Sequence, residues 1–140
     1  MSARNAFVRE ALRLSDLHHP NIVPLLGTCL SAQPYCLILE YQQHGDLKAL
    51  LRRCQLEHLL LDGAHLVKWA VDVTMGFEYL QQVRFVHRDI AARNVMVSGG
   101  YDAKIGDFGM ARRLYNSEYY SREGMSDTEG SLVLPIRLET

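Results

Sequence analysis

The string His87-Arg88-Asp89-Ile90-Ala91-Ala92-Arg93-Asn94, followed after a short apolar stretch by Asp107-Phe108-Gly109, constrains this chain more than any other feature. Between the two strings, Val95 to Val97 and Ala103 to Ile105 read as strands joined through Ser98-Gly99-Gly100, a small hairpin that sets the separation of the polar groups on either side. Phe85-Val86 reads as a further short strand ahead of the first string. Before it, Ala64 to Gln82 carries Leu66, Ala70, Val73, Phe77 and Leu80 at steps of three and four, the apolar face of a long helix.

The first half supplies the rest of an α+β architecture. Asn5 to Leu17 places Phe7, Ala11 and Leu14 at helical spacing, with Val8 and Leu12 beside them, and ends before His18-His19-Pro20. Ile22 to Leu30 and Tyr35 to Tyr41 are branched and aromatic runs separated by Ser-Ala-Gln-Pro, the pattern of a hairpin of buried strands. Asp46 is placed to cap a short helix, Leu-Lys-Ala-Leu-Leu-Arg-Arg, by accepting an otherwise unpaired backbone N–H. Beyond Asp107 the patterning stops, and Arg112 to Ser131, polar and tyrosine-rich, reads as a long exposed loop, of a length that is usually either functional or disordered.

Fifteen Lys plus Arg against 16 Asp plus Glu, with no basic run, give no electrostatic footprint for nucleic acid or an anionic membrane. Apolar residues at 48% and charged residues at 22% are those of a folded chain with a packed core, in which Trp69 is expected. No segment approaches the ~20 apolar residues of a membrane helix, and the first residues lack a signal-peptide core. Three cysteines without a C-x-x-C pair indicate neither a disulfide framework nor a zinc site, which fits a reducing compartment. The adjacent His18-His19 pair has no partner spacing for a metal and is assigned a structural role.

Taken alone, Asp-Phe-Gly is an ordinary turn. In this order and spacing, the two strings resemble the catalytic loop and metal-binding triplet of protein kinases, which implies a partial two-lobed kinase fold over residues 1–140. Phosphoryl transfer needs a carboxylate to orient the acceptor hydroxyl and separate oxygen ligands to hold magnesium against the phosphates of ATP. The resemblance assigns Asp89 as catalytic base and Asn94 and Asp107 as magnesium ligands. It also assigns Glu10 the pairing with an ATP-positioning lysine, Leu39 the gatekeeper position, and the backbone of Glu40 and Gln42 the adenine contacts. Leu-Val-Leu-Pro-Ile-Arg near the end is similar to the family's peptide-substrate segment.

The acceptor is implied by the same route. Ala91 stands where serine/threonine kinases place lysine, and Ala-Ala-Arg puts the cation at Arg93, an order that resembles receptor tyrosine kinases and offsets phosphoryl charge while leaving room for a phenol. Tyr115, Tyr119 and Tyr120 have the spacing of insulin-receptor-like activation loops, related to those of discoidin-domain and muscle-specific receptor kinases. The resemblance implies that they are autophosphorylated and then pair with arginines such as Arg88 or Arg112.

The resemblance covers the middle of the family's domain: no glycine-rich loop or lysine strand precedes Glu10, and the family's Trp-Met does not follow Ile136-Arg137. The expectation is therefore a piece of the cytoplasmic domain of a plasma-membrane receptor. The full-length receptor is expected to self-associate and to act on protein tyrosines. The isolated chain is expected to be marginally stable and inactive, with part of its apolar surface exposed. The alternative is a truncated, pseudokinase-like interaction module, against which the presence of Asp89, Asn94 and Asp107 together argues.

Overall fold

The computed structural model describes residues 3–85, 87, 90–106 and 132–136, which divide between two compact units of an α+β fold. The first unit holds helix α1 (Ala3–Ser15), strands β1 (Leu25–Cys29) and β2 (Cys36–Glu40), and strand β5 (Leu132–Ile136). Phe7, Ala11 and Leu14 recur at steps of four and three, so one face of α1 is buried while Leu12 points to solvent. The Phe7 ring tilts against Tyr35 at 5.9 Å. Strands β1 and β2 form the expected antiparallel hairpin over narrower bounds, with Gly27 opposite Ile38 and an irregularity between Leu25 and Gly27.

Strand β5 is a finding the apolar pattern had not indicated. The segment resembling a peptide-substrate platform pairs in parallel with β2, Cys36 opposite Leu132 through Glu40 opposite Ile136. It takes an edge of the sheet β1-β2-β5, the position where a strand tolerates a residue without an N–H, here Pro135.

The second unit comprises His19–Val23 and Tyr41–Gly106. Asp46 caps helix α2 (Leu47–Leu56) by accepting the Ala49 N–H at 2.8 Å, as its position before the apolar run indicates. Asp62 does the same for helix α3 (Gly63–Gln82) through the Ala64 N–H. The buried residues of α3 are Trp69, Gly76 and Leu80, with Val73 packed against the core; of the expected stripe, Val73, Phe77 and Leu80 face inward at least in part, whereas Leu66 and Ala70 do not. Leu66 is 46% exposed and Ala70 is exposed. Val67, Val71 and Met75 are also exposed, so α3 is apolar over more than one face and periodicity alone could not fix its rotation.

Phe85 is not the start of a strand. Its N–H reaches back to the Leu80 carbonyl at 2.9 Å while the Arg84 N–H reaches Gln81 O at 3.1 Å, the paired bonds of a Schellman cap. Val86, the other half of that expected strand, and the loop expected over Arg112 to Ser131 lie outside the described residues. The cap holds Arg84 at φ 55°, a left-handed conformation that opposes a Cβ. Arg84→Gly is therefore expected to raise stability by about 1 kcal/mol. A urea midpoint unchanged or lowered at constant slope would show that the Arg84 side chain outweighs this strain.

Strands β3 (Val95–Val97) and β4 (Ala103–Ile105) form the expected hairpin, with Val95 opposite Ile105 and Val97 opposite Ala103. On its other side β4 meets the segment after His19-Pro20: Ile105 N–H donates to Asn21 O at 2.8 Å and Val23 N–H to Ile105 O at 2.9 Å. Helix α3 crosses this layer at Gly76, where a Cβ would stand 2.8 Å from both Asn21 O and the Ile105 Cδ1 atom. Only a residue without a side chain permits that approach. Within this unit Leu50, Cys54, Trp69, Val95, Val97 and Ala103 form one core cluster.

Candidate functional site

The polar string follows the α3 cap. Ala91 is extended, and Ala92–Asn94 makes one 3-10 turn, closed by the Asn94 N–H to Ala91 O at 2.9 Å. The turn drives Asn94 inward, to 2% exposure, and leaves Arg93 exposed. Asn94 O accepts the Gly106 N–H at 2.8 Å, and His87, itself buried, donates from Nε2 to Gly106 O at 2.9 Å. The residue immediately before Asp107 is thus held at its N–H by Asn94 and at its carbonyl by His87. Gly106 also lies close to Met96 and Val23, whose side chains would stand 3.1 and 3.3 Å from a Cβ there.

Below the loop, Phe77, Leu80, Phe85, His87 and Ile90, with Gln81 and Arg84, line an apolar cleft of about 670 Å³. Ile90 is 63% exposed.

The far end of the hairpin is clamped to α3. Trp69 Nε1 donates to Tyr101 O at 2.9 Å, and Lys68 Nζ lies 2.7 Å from both Asp72 Oδ2 and Asp102 Oδ1. Asp72 Oδ2 also accepts the Ala103 N–H at 2.9 Å. The Tyr101 ring is stacked on His44 at 4.5 Å and meets His65 edge-on at 5.5 Å. The hydrogen bond from Lys68 lowers the Asp102 carboxyl below its ordinary value, and the bonds to Asp102 and then Asp72 raise the Lys68 ammonium. Stabilisation from Asp102 is therefore present above the usual carboxylate range and lost in acid, while that from Lys68 is lost only in strong alkali. Both groups are solvent-accessible, so the pair is a weak, salt-screened tie.

Of the residues the motifs single out, Asn94 and Arg93 lie on the 3-10 turn. Asp89, Asp107, Tyr115, Tyr119 and Tyr120, together with Arg88 and Arg112, lie outside the described residues. Glu10 sits on α1, with its side chain likewise outside them. Leu39 and Glu40 end β2 in the first unit, and the Glu40 N–H donates to Pro24 O at 3.1 Å. Gln42 belongs to the second unit, where it is buried and its carbonyl accepts the Gly45 N–H. The structural role given to the histidine pair is visible at His19, whose Nδ1 accepts the Asn21 N–H at 3.0 Å and whose ring stacks on Tyr79. Motif reading missed Asp72 and Asn21: an i,i+4 Lys68-Asp72 pair is legible on a helix, but a carboxylate bonded to an amide 31 residues later is not.

Among the described residues no group of three or more His, Cys, Asp or Glu could hold a metal ion. What fits a magnesium ion is the chemistry of the motif: Asn94 offers a hard oxygen donor, and Asp107 follows a residue hydrogen-bonded to the Asn94 backbone.

Comparison with known proteins defines the class. The chain matches the protein tyrosine and serine/threonine kinase family over residues 1–134, and it belongs to that family. It is 42% identical over 132 residues to the discoidin domain-containing receptor tyrosine kinase B of Caenorhabditis elegans, covering 94% of this chain and 15% of that protein. It is 38% identical over 151 residues to human epithelial discoidin domain-containing receptor 1, covering 97% and 16%. To the rat proto-oncogene tyrosine-protein kinase ROS it is 44% identical over 139 residues, covering 94% and 6%. The fold is thus that of part of a kinase domain, homologous to those of receptor tyrosine kinases, and the chain spans less than a fifth of the length of these relatives.

Proposed function

We propose that this chain forms part of an ATP- and magnesium-dependent protein-tyrosine kinase of the receptor type. The observation that carries the reading is the buried Asn94 turn bonded to Gly106, which brings the backbone ahead of Asp107 beside Asn94. In this reading Asn94 and Asp107 hold magnesium. A magnesium ion held there would supply positive charge to offset that of the phosphates. Asp89 accepts the proton of the tyrosine hydroxyl, and Arg93, on the exposed side of the turn, faces charge on the moving phosphoryl group.

Leu39 sets the depth of the adenine pocket, and Glu10 pairs with the ATP-positioning lysine of the complete domain. Gln42 and Glu40 contact adenine through backbone atoms, and for Glu40 the contact falls to its carbonyl because its N–H bonds Pro24 O. Tyr115, Tyr119 and Tyr120 are the autophosphorylation sites, modified when receptors self-associate at the plasma membrane. The similarity to receptor tyrosine kinases places this chain, in this reading, in the receptor's cytoplasmic part; no helix among the described residues is long and apolar enough to cross a membrane.

The test is phosphoryl transfer by the native protein carrying this chain, offered tyrosine and serine versions of one peptide. Transfer to tyrosine alone, abolished by chelation of magnesium, is the expected result. Nucleotide binding without transfer to either peptide would favour the interaction-module alternative, and equal transfer to both would remove the tyrosine assignment.

A further inference from the structure

We propose that Asp72 is the positioning residue for the metal-holding end of the β3–β4 hairpin, acting through the Ala103 amide; the proposal rests on the assignment of Asn94 and Asp107 above. Strand β4 has a partner on each side, β3 on one and the segment around Asn21 on the other. Along the second side the ladder runs from Val23 N–H to Ile105 O and from Ile105 N–H to Asn21 O, and there the main-chain acceptors end. The next donor on that edge, the N–H of the fully buried Ala103, is taken by the Asp72 carboxylate instead, while the Asn21 side-chain amide donates to Ala103 O at 3.0 Å. A carboxylate from α3 thus completes a β ladder.

That bond controls where β4 lies along its length. Sideways the strand is fixed by its neighbours, but a three-residue strand has few bonds with which to resist sliding. From Ala103 the chain extends about 10 Å to Gly106, at the usual strand rise. There the Gly106 N–H meets Asn94 O, the Gly106 carbonyl meets His87, and Asp107 follows. A shift at Ala103 is delivered to Gly106, which is bonded to the Asn94 backbone and precedes Asp107 in the sequence. Lys68 Nζ donates to the same oxygen, Asp72 Oδ2, and the Asp72 side chain is only 13% exposed. The geometry therefore needs an acceptor at position 72 more than it needs a charge.

Amide hydrogen exchange in the 140-residue chain, read residue by residue, tests this without any requirement for catalysis. Asp72→Ala is expected to speed exchange at Gly106 by about tenfold while the amides of α2 keep their rates. Asp72→Asn retains an acceptor oxygen, and Lys68→Ala leaves the Asp72–Ala103 bond in place, so both should stay within about threefold of the unmodified chain. Unchanged exchange at Gly106, or an increase matched throughout α2, would overturn the proposal, since Asp72 would then do nothing local.

The second arm uses nucleotide binding by the native protein. The magnesium concentration giving half-maximal ATP binding is expected to rise about tenfold in Asp72→Ala and to return in Asp72→Asn, the size of effect usual for groups that support metal ligands. Faster Gly106 exchange with an unaltered magnesium requirement would also overturn it, leaving Asp72 a structural tie. If the unmodified protein binds no ATP with magnesium, the functional reading itself fails and the metal-positioning role falls with it. The exchange result then still decides whether Asp72 fixes Gly106.

Discussion

Trp69→Ala is expected to lower folding stability by about 3–5 kcal/mol, the usual cost of removing a large aromatic side chain from a packed core. Trp69 is 3% exposed and packs in the cluster formed by α2, α3 and the β3–β4 hairpin, so the cavity would open where these elements meet. Its indole N–H is also the donor that holds Tyr101 O at the hairpin turn. Single domains are stable by about 5–15 kcal/mol in total, and this chain leaves Leu66, Val67, Val71 and Met75 of α3 in water, which places it toward the lower end. Trp69→Ala should therefore keep no more than about 2 kcal/mol of stability and unfold at a much lower urea concentration. Trp69 is the single tryptophan of the chain, so the measurement is urea unfolding followed by circular dichroism rather than fluorescence. Trp69→Phe keeps most of the ring, and its loss should be nearer the ~1 kcal/mol of one hydrogen bond. An alanine variant within about 1 kcal/mol of the unmodified chain would show that the cluster does not hold this unit together.

The elements that sequence patterns located well are those whose signal is local. Asp46 before Leu47 and the step of Phe7, Ala11 and Leu14 each carry their own physical instruction, a cap and a buried face, and each is found in place. The hairpin Val95–Val97 with Ala103–Ile105 is of the same kind. What failed depended on distant partners. The rotation of α3 is decided by which side meets β4 and the segment at Asn21, and an apolar helix does not encode that choice in periodicity. Phe85 looked like a strand because it is aromatic beside valine, yet its N–H closes a helix end. Strand β5 needs the edge of β2, about a hundred residues earlier in the chain, to exist at all. At the candidate site, the motif singles out Asn94 from the sequence, while the Asp72–Ala103 bond and the His87–Gly106 bond become visible only in the fold.

Asp89→Asn is expected to lower the rate constant for tyrosine phosphorylation by about 10²–10⁴-fold in the native protein, the range that general-base groups contribute. The substitution is nearly isosteric. It removes the capacity to take a proton while leaving an oxygen to accept a hydrogen bond from the acceptor hydroxyl, so the KM for peptide should move little and the loss should fall on kcat. Asn94→Ala should behave differently. It deletes a buried oxygen donor from a turn whose backbone bonds, Asn94 N–H to Ala91 O and Gly106 N–H to Asn94 O, survive the change. Its main effect should be a raised magnesium requirement, partly recovered at high magnesium, whereas Asp89→Asn should show no recovery at any metal concentration. The two measurements separate proton acceptance from metal holding. An Asp89→Asn enzyme within a few-fold of the unmodified rate would remove the base assignment, because a phenol losing its proton to solvent needs no carboxylate at that position.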